Sequence, residues 1–302
     1  MSEPPSAPPP QAQADKRELS VVTDDGTTLA GEESGTGPAI VLLHGLTATR
    51  RYVVMGSRTL ERSGYRVIAY DARGHGRSQP APAPDAYGYD ILAADLRAVL
   101  DAAGVRRALL AGASMGAHTA VRFALEHPER VDALAIITPA FDPEARGEDA
   151  DFESWDALAR GLREDGIEGF VRAYHLQDVP EALRATVATV LRQRLAGHEH
   201  LDAVADALES VPRSRPFEQF AQLAHIRVPT VVVASRDEAD PEHPLAVGES
   251  YARAIPGARL VVEDAGVDGH PIPSPIAWQG GQLSRVIAEL AERAGLGVKG
   301  LQ

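Results

Sequence analysis

The sequence predicts an α/β fold, a mostly parallel sheet covered on both faces by helices and interrupted late in the chain by an all-helical insertion. Three observations carry this. Apolar runs of strand length, such as Ala39–Leu43 and Val131–Ile137, lack the polar alternation of a strand with one wet face. These runs alternate with stretches of helical periodicity, the pattern of parallel strands joined by crossover helices. Between residues 141 and 224 the strand pattern lapses and only helical patterns remain, before apolar runs return at 228–233 and 258–262.

Taken in order, residues 18–22 and 27–32 flank Asp25-Gly26 and read as a hairpin. Residues 39–43 form a strand ending in His44-Gly45, and 65–70 a strand ending in the turn from Asp71 to Ser78. Ile91, Leu92, Leu96, Val99 and Leu100 then share one helical face. The run Ala108-Leu109-Leu110-Ala111 enters Gly112-Ala113-Ser114-Met115-Gly116, with a helix over 115–127 and a strand over 131–137 behind it. A last helix is expected over 278–294. The parse is a sheet core over 18–140 and 218–302, a helical insertion over 141–217, and a disordered proline-rich leader over 1–17, with no internal repeats.

At 302 residues the chain can bury a large core, and its 44% apolar and 24% charged content is that of a globular protein. The net charge of −13 argues against nucleic acid and against an anionic membrane surface as partners. The leader has neither the basic start nor the apolar core of a signal peptide, and no apolar stretch approaches a membrane span, so a cytoplasmic location is expected. There is no cysteine, hence no disulfide, thiolate metal site or cysteine nucleophile. His198-x-His200 is the nearest approach to metal-ligand spacing and reads instead as part of a solvated helix. With no glycine-rich phosphate loop or dinucleotide fingerprint, neither metal nor cofactor is expected.

The Gly-x-Ser-x-Gly pentapeptide between a strand and a helix is a nucleophile elbow, a sharp turn that lifts a serine hydroxyl clear of the sheet edge. A Cβ at either glycine would crowd a neighbouring strand or helix, and the serine occupies strained backbone space. Serine is a poor nucleophile until a base takes its proton, and that base needs an acid to fix its tautomer. The chain therefore needs a histidine and a carboxylate to meet Ser114.

From 19 to 294 the chain resembles the α/β-hydrolase superfamily, and within it the capped serine esterases and lipase-like hydrolases. The resemblance rests on Leu43-His44-Gly45, the turn from Asp71 to Ser78, the Ser114 elbow, and a later acid and histidine in that order. It implies an eight-stranded, mostly parallel sheet flanked by helices, with a helical cap inserted after the sixth strand over 141–217. It also implies the order serine, acid, histidine, which leaves His243 and His270 as bases among the ten histidines. Asp268-Gly269-His270 is similar to the family's Gly-His pair and puts His270 first, with His243 the fallback. The family reaches that pair sooner after its strand, so 264–268 reads as a short insertion. Asp240, four residues before Pro244, matches the family's Asp-x-x-x-Pro and ranks ahead of Asp237, four before Pro241, with Glu238 third. His44 and His75 are expected to brace loops.

The oxyanion donors implied are the peptide N–H groups of Met115, at a helix start, and Leu46. Phe141, Trp155, Phe170 and Tyr174 are candidates for an apolar substrate pocket. The expected activity is cofactor-independent hydrolysis of a small carboxylic ester. The same triad could serve a lactone, a thioester, a C–C bond or perhydrolysis, and a ligand-binding receptor with vestigial catalysis is the reading from another class. Oligomeric state is left open.

Overall fold

The computed structural model describes residues 16–144, 150–236, 240–262 and 279–298. The first 15 residues of the expected leader lie outside them. The apolar runs pair edge to edge in one eight-stranded sheet. Its strands are β1 (Arg17–Val22), β2 (Thr28–Ser34), β3 (Ala39–Leu43), β4 (Arg66–Tyr70), β5 (Ala108–Ala113), β6 (Val131–Ile137), β7 (Thr230–Ala234) and β8 (Arg259–Val262). They lie in the order β1-β2-β4-β3-β5-β6-β7-β8. The β1–β2 hairpin turns at Asp25-Gly26, and β2 meets β4 antiparallel; every other neighbour is parallel.

The helices of the core are α1 (Thr59–Arg62), α2 (Tyr89–Ala102) and α3 (Met115–Glu126). Between β6 and β7 the chain leaves the sheet for α4 (Ala150–Ala173), α5 (Glu181–Leu195) and α6 (Leu201–Ser210). It then completes the core with α7 (Leu245–Ala254) and α8 (Gly280–Arg293). The last two strands and the last helix each begin one or two residues later than the sequence pattern placed them. Proline explains the first of these offsets, since Pro229 has no N–H to give a neighbouring strand.

Unbroken apolar strands follow from burial on both sides. In β3, Val41 and Leu43 pack into the cluster that holds α2, α3 and α7, while Ile40 and Leu42 pack into the cluster that holds α8. A third cluster belongs to the insertion, where Leu158, Phe170, Leu191 and Leu208 pack together with Leu46, Tyr87, Tyr89 and Met115 of the core. That shared cluster seats the insertion over the ends of β3 and β5. Within α4 the helix breaks at Asp165-Gly166, where Gly166 takes φ +55°, and the two halves fold back so that Gly161 and Gly169 meet backbone to backbone.

Candidate active site

Ser114 stands between β5 and α3 with φ +51° and ψ −116°, a conformation few non-glycine residues adopt. The glycines beside it are there for steric reasons. A Cβ on Gly112 would run into the Gly116 carbonyl, and one on Gly116 into the Leu43 carbonyl of the adjacent strand. Only hydrogen side chains let β5, α3 and β3 approach this closely, and that approach pushes Ser114 out of the sheet edge.

The Ser114 hydroxyl donates to Nε2 of His243 at 2.8 Å, and Nδ1 of His243 donates to Oδ1 of Asp240 at 2.7 Å. Asp240 and His243 lie on the loop between β7 and α7, three positions apart, with Pro244 capping the helix behind them. Parallel β5, β6 and β7 carry this loop to the same sheet edge as the elbow. Burial works against a charged His243, but the Asp240 carboxylate facing it, its hydrogen bond and the nearby Glu242 outweigh that and hold the His243 pKa above the ordinary value. For Asp240, burial pushes the carboxyl up and the His243 pair more than reverses it, so its pKa is lowered. Glu242 is pushed up, by burial and by the like charge of Asp240.

His270 and Asp237, the sequence's first base and second acid, lie outside the described residues, as does Glu238. The imidazole on Ser114 is that of His243, which the sequence ranks second. A signal was available: His243 follows Asp240 closely enough for one loop to present both.

Leu46 follows β3 and Met115 opens α3. Among the described residues neither peptide N–H has a hydrogen-bond partner, and both residues line the cavity that contains Ser114. The Leu46 turn is braced by three histidines. His44 donates from Nδ1 to the Gly45 carbonyl and accepts from the Ala72 N–H at Nε2. His75 places Nε2 2.7 Å from the Leu46 carbonyl and Nδ1 2.8 Å from that of Arg73. His198 accepts from the Gly76 N–H and donates to the Thr47 carbonyl. The solvated-helix reading of His198 is thus corrected: it lies in the turn between α5 and α6, edge-on to His75 with ring centroids 5.5 Å apart. Burial, aided by the charge of a neighbouring histidine, drives His44 and His198 down to about 3. Both rings are therefore neutral, and neutral rings can accept from the backbone as these do. His118 is equally committed, taking the Ala140 and Phe141 N–H groups and pairing with the Tyr89 hydroxyl.

A cavity of about 370 Å³ opens over Ser114 and His243. Phe141, Trp155, Phe170 and Tyr174 all line it, with Leu158, Leu191 and Val211 from the insertion. Arg194, His175 and Glu242 add charge or polarity, and sequence reasoning singled out none of them for the site. Among the described residues no group of three histidines or carboxylates could hold a metal ion, and no helix is long and apolar enough to cross a membrane.

Comparison with known proteins agrees with this fold. The model of the alpha/beta hydrolase fold family matches residues 38–270. A 2-hydroxy-6-oxononadienedioate/2-hydroxy-6-oxononatrienedioate hydrolase of Pseudomonas putida is 31% identical over 229 residues, 74% of this chain and 78% of its own. A thermophilic esterase from Thermogutta terrifontis, solved with malate bound, superposes with a TM-score of 0.73 at 25% identity, covering 92% of this chain and 99% of that one. A solved N-acyl homoserine lactone degrading enzyme gives a TM-score of 0.66 at 25% identity, covering 92% of this chain and 99% of its own.

Proposed function

Since the chain belongs to the α/β-hydrolase fold family, we propose that it is a serine hydrolase that cleaves carboxylic esters through an acyl-enzyme. The observation that carries this reading is the unbroken relay from the Ser114 hydroxyl through His243 to Asp240. In the first step Ser114 Oγ attacks the ester carbonyl as its proton passes to His243 Nε2. Asp240 holds the imidazole in the tautomer whose Nε2 is free to accept, and stabilises the imidazolium that results. Negative charge gathers on the former carbonyl oxygen, where the free N–H groups of Leu46 and Met115 meet it, the latter at the positive end of α3. Each such donor contributes on the order of 3 kcal/mol to transition-state binding.

Collapse expels the alkoxide, which takes the proton from His243 and leaves as alcohol. Water then enters, His243 Nε2 takes its proton, and a second tetrahedral intermediate releases the acid and restores Ser114. The helical insertion acts as the cap, its apolar wall excluding bulk water from these steps. A second reading, the same triad turned to a C–C bond or a lactone, is favoured by the likeness to the oxononadienedioate hydrolase and the homoserine lactone degrading enzyme. The direct test is labelling with a fluorophosphonate and turnover of short p-nitrophenyl esters, each with Ser114→Ala alongside. Labelling and turnover that depend on Ser114 support the reading, and turnover that persists in the variant overturns it. Lactone and diketone substrates in the same assay rank the two chemistries.

A further inference from the structure

Arg194 stands in the last turn of α5 and reaches the Ser114 cavity from the insertion side. Several arginines of the insertion are matched with carboxylates, Arg163 with Asp206 and Glu209, Arg192 with Glu168 and Arg213 with Asp156, and Arg160 and Arg184, unmatched among the described residues, lie outside the cavity lining. Arg194 has no such match among the described residues, although the chain carries 43 acidic residues to 30 basic ones. Its Nε is closed off from solvent and has no hydrogen-bond partner. The Tyr52 ring, with its centroid 5.9 Å from Cζ, gives the guanidinium a flat face to lie on and no acceptor.

A permanently charged guanidinium that faces a largely apolar cavity with no carboxylate on it is costly to keep, by roughly 1–3 kcal/mol, unless an anion arrives to pair with its terminal amines. The carboxylates that share the cavity wall do not fill that role. Asp240 is engaged with His243 and feels the Arg194 charge only across a longer distance, and among the described residues no ion pair joins Arg194 to Asp240, Asp142 or Glu242. The rest of the wall on the insertion side is largely apolar, Leu158, Phe170 and Leu191 among it, with Ser154, Tyr174 and His175 as its other polar groups. Among the described residues the cavity thus has the Ser114–His243 pair, a largely apolar wall and one planar cation, Arg194, with no carboxylate on it.

We propose that Arg194 is an anion-binding subsite and that the substrate is a carboxylic ester bearing a second, ionised carboxylate. Arg194 grips the carboxylate through its planar fork while the scissile carbonyl lies against Ser114. The volume of about 370 Å³ suits a short-chain hemiester. This rests on the serine-hydrolase reading and sharpens its substrate class.

The test compares mono-p-nitrophenyl glutarate with p-nitrophenyl pentanoate, which puts a methyl where the carboxylate was. The kcat/KM ratio of the first to the second is expected to exceed about 10 in the native protein, to fall about 30-fold in Arg194→Met, and to recover in part in Arg194→Lys. A ratio unaltered in Arg194→Met overturns the proposal. Binding gives a readout independent of turnover. Ser114→Ala should be stabilised thermally by glutarate, and Ser114→Ala with Arg194→Met should not. Glutarate that binds neither variant, or both alike, also overturns the subsite. Arg194-dependent glutarate binding in a protein that cleaves neither ester keeps the subsite and removes the ester reading.

Discussion

His243 and Ser114 are 129 residues apart in the chain and 2.8 Å apart in space, joined Nε2 to Oγ. The loop after β7, from which the sequence offers Asp240 as first acid and His243 as fallback base, here presents both the carboxylate and the imidazole. One short segment, Asp240 to His243, therefore sets the geometry of imidazole and carboxylate together, and α7 anchors it from behind.

Removal of the imidazole is the sharpest test of this pairing. His243→Ala should lower kcat for p-nitrophenyl esters by on the order of 10⁴-fold, as expected when a triad loses its base. His270→Ala should cause a far smaller loss. If the large loss follows His270 instead, the assignment of the base to His243 fails.

The pH profile should carry the Asp240 pair in its sign. Catalysis needs a neutral His243, and a raised pKa keeps the ring protonated to higher pH. The acid limb of kcat/KM is therefore expected above the ordinary histidine value of about 6.5. Asp240→Asn removes the charge that raises it, so the limb should move to lower pH while kcat falls by about 10³–10⁴. A limb that stays in place in Asp240→Asn would show that the carboxylate does not set it.

Acid should unfold the protein earlier than its carboxylates alone require. His44 and His198 have folded-state values of about 3 against an ordinary 6.5. Between those limits the unfolded chain binds protons that the folded chain refuses, so stability is full above pH 6.5 and declines as pH falls. Each ring removes up to about 1.4 kcal/mol per pH unit in that window. Urea denaturation at pH 7.5, 6 and 5 measures the decline, and His198→Gln should make it shallower.

A buried ion pair outside the cavity lining gives a prediction about the fold itself. Arg73 is 1% exposed and grips both Asp95 oxygens at 2.7 Å, with Asp25 on its other amine. Arg73→Ala leaves Asp95 buried and uncompensated, at a cost of about 3–5 kcal/mol by chemical denaturation. Arg73→Ala together with Asp95→Ala should cost less than the single change. A single variant as stable as the native protein would contradict the role of the pair.

Local chemistry was legible where it left a local signature. Gly112 and Gly116 announce a close approach that only glycine allows, so the elbow could be read before any strand was paired. Leu46 and Met115 could be named because each follows directly from an element the pattern already located. Arg194 could not, since an arginine on a helical insertion reads as a solvated charge until its neighbours are known. The same holds for His198, whose position beside His75 depends on how the insertion settles onto the Asp71-to-Ser78 turn.

By itself, then, the sequence determined the alternation of strand and helix, the elbow with Ser114 at its apex, and the short set of acids and bases able to serve it. Periodicity and glycine sterics act over a few residues and survive in a linear string. Which histidine meets Ser114, which arginine faces the cavity unmatched and what the insertion encloses were decided only in three dimensions. Those are relations between segments, fixed by the parallel order of β5, β6 and β7 and by the packing of α4, α5 and α6 over the ends of the strands.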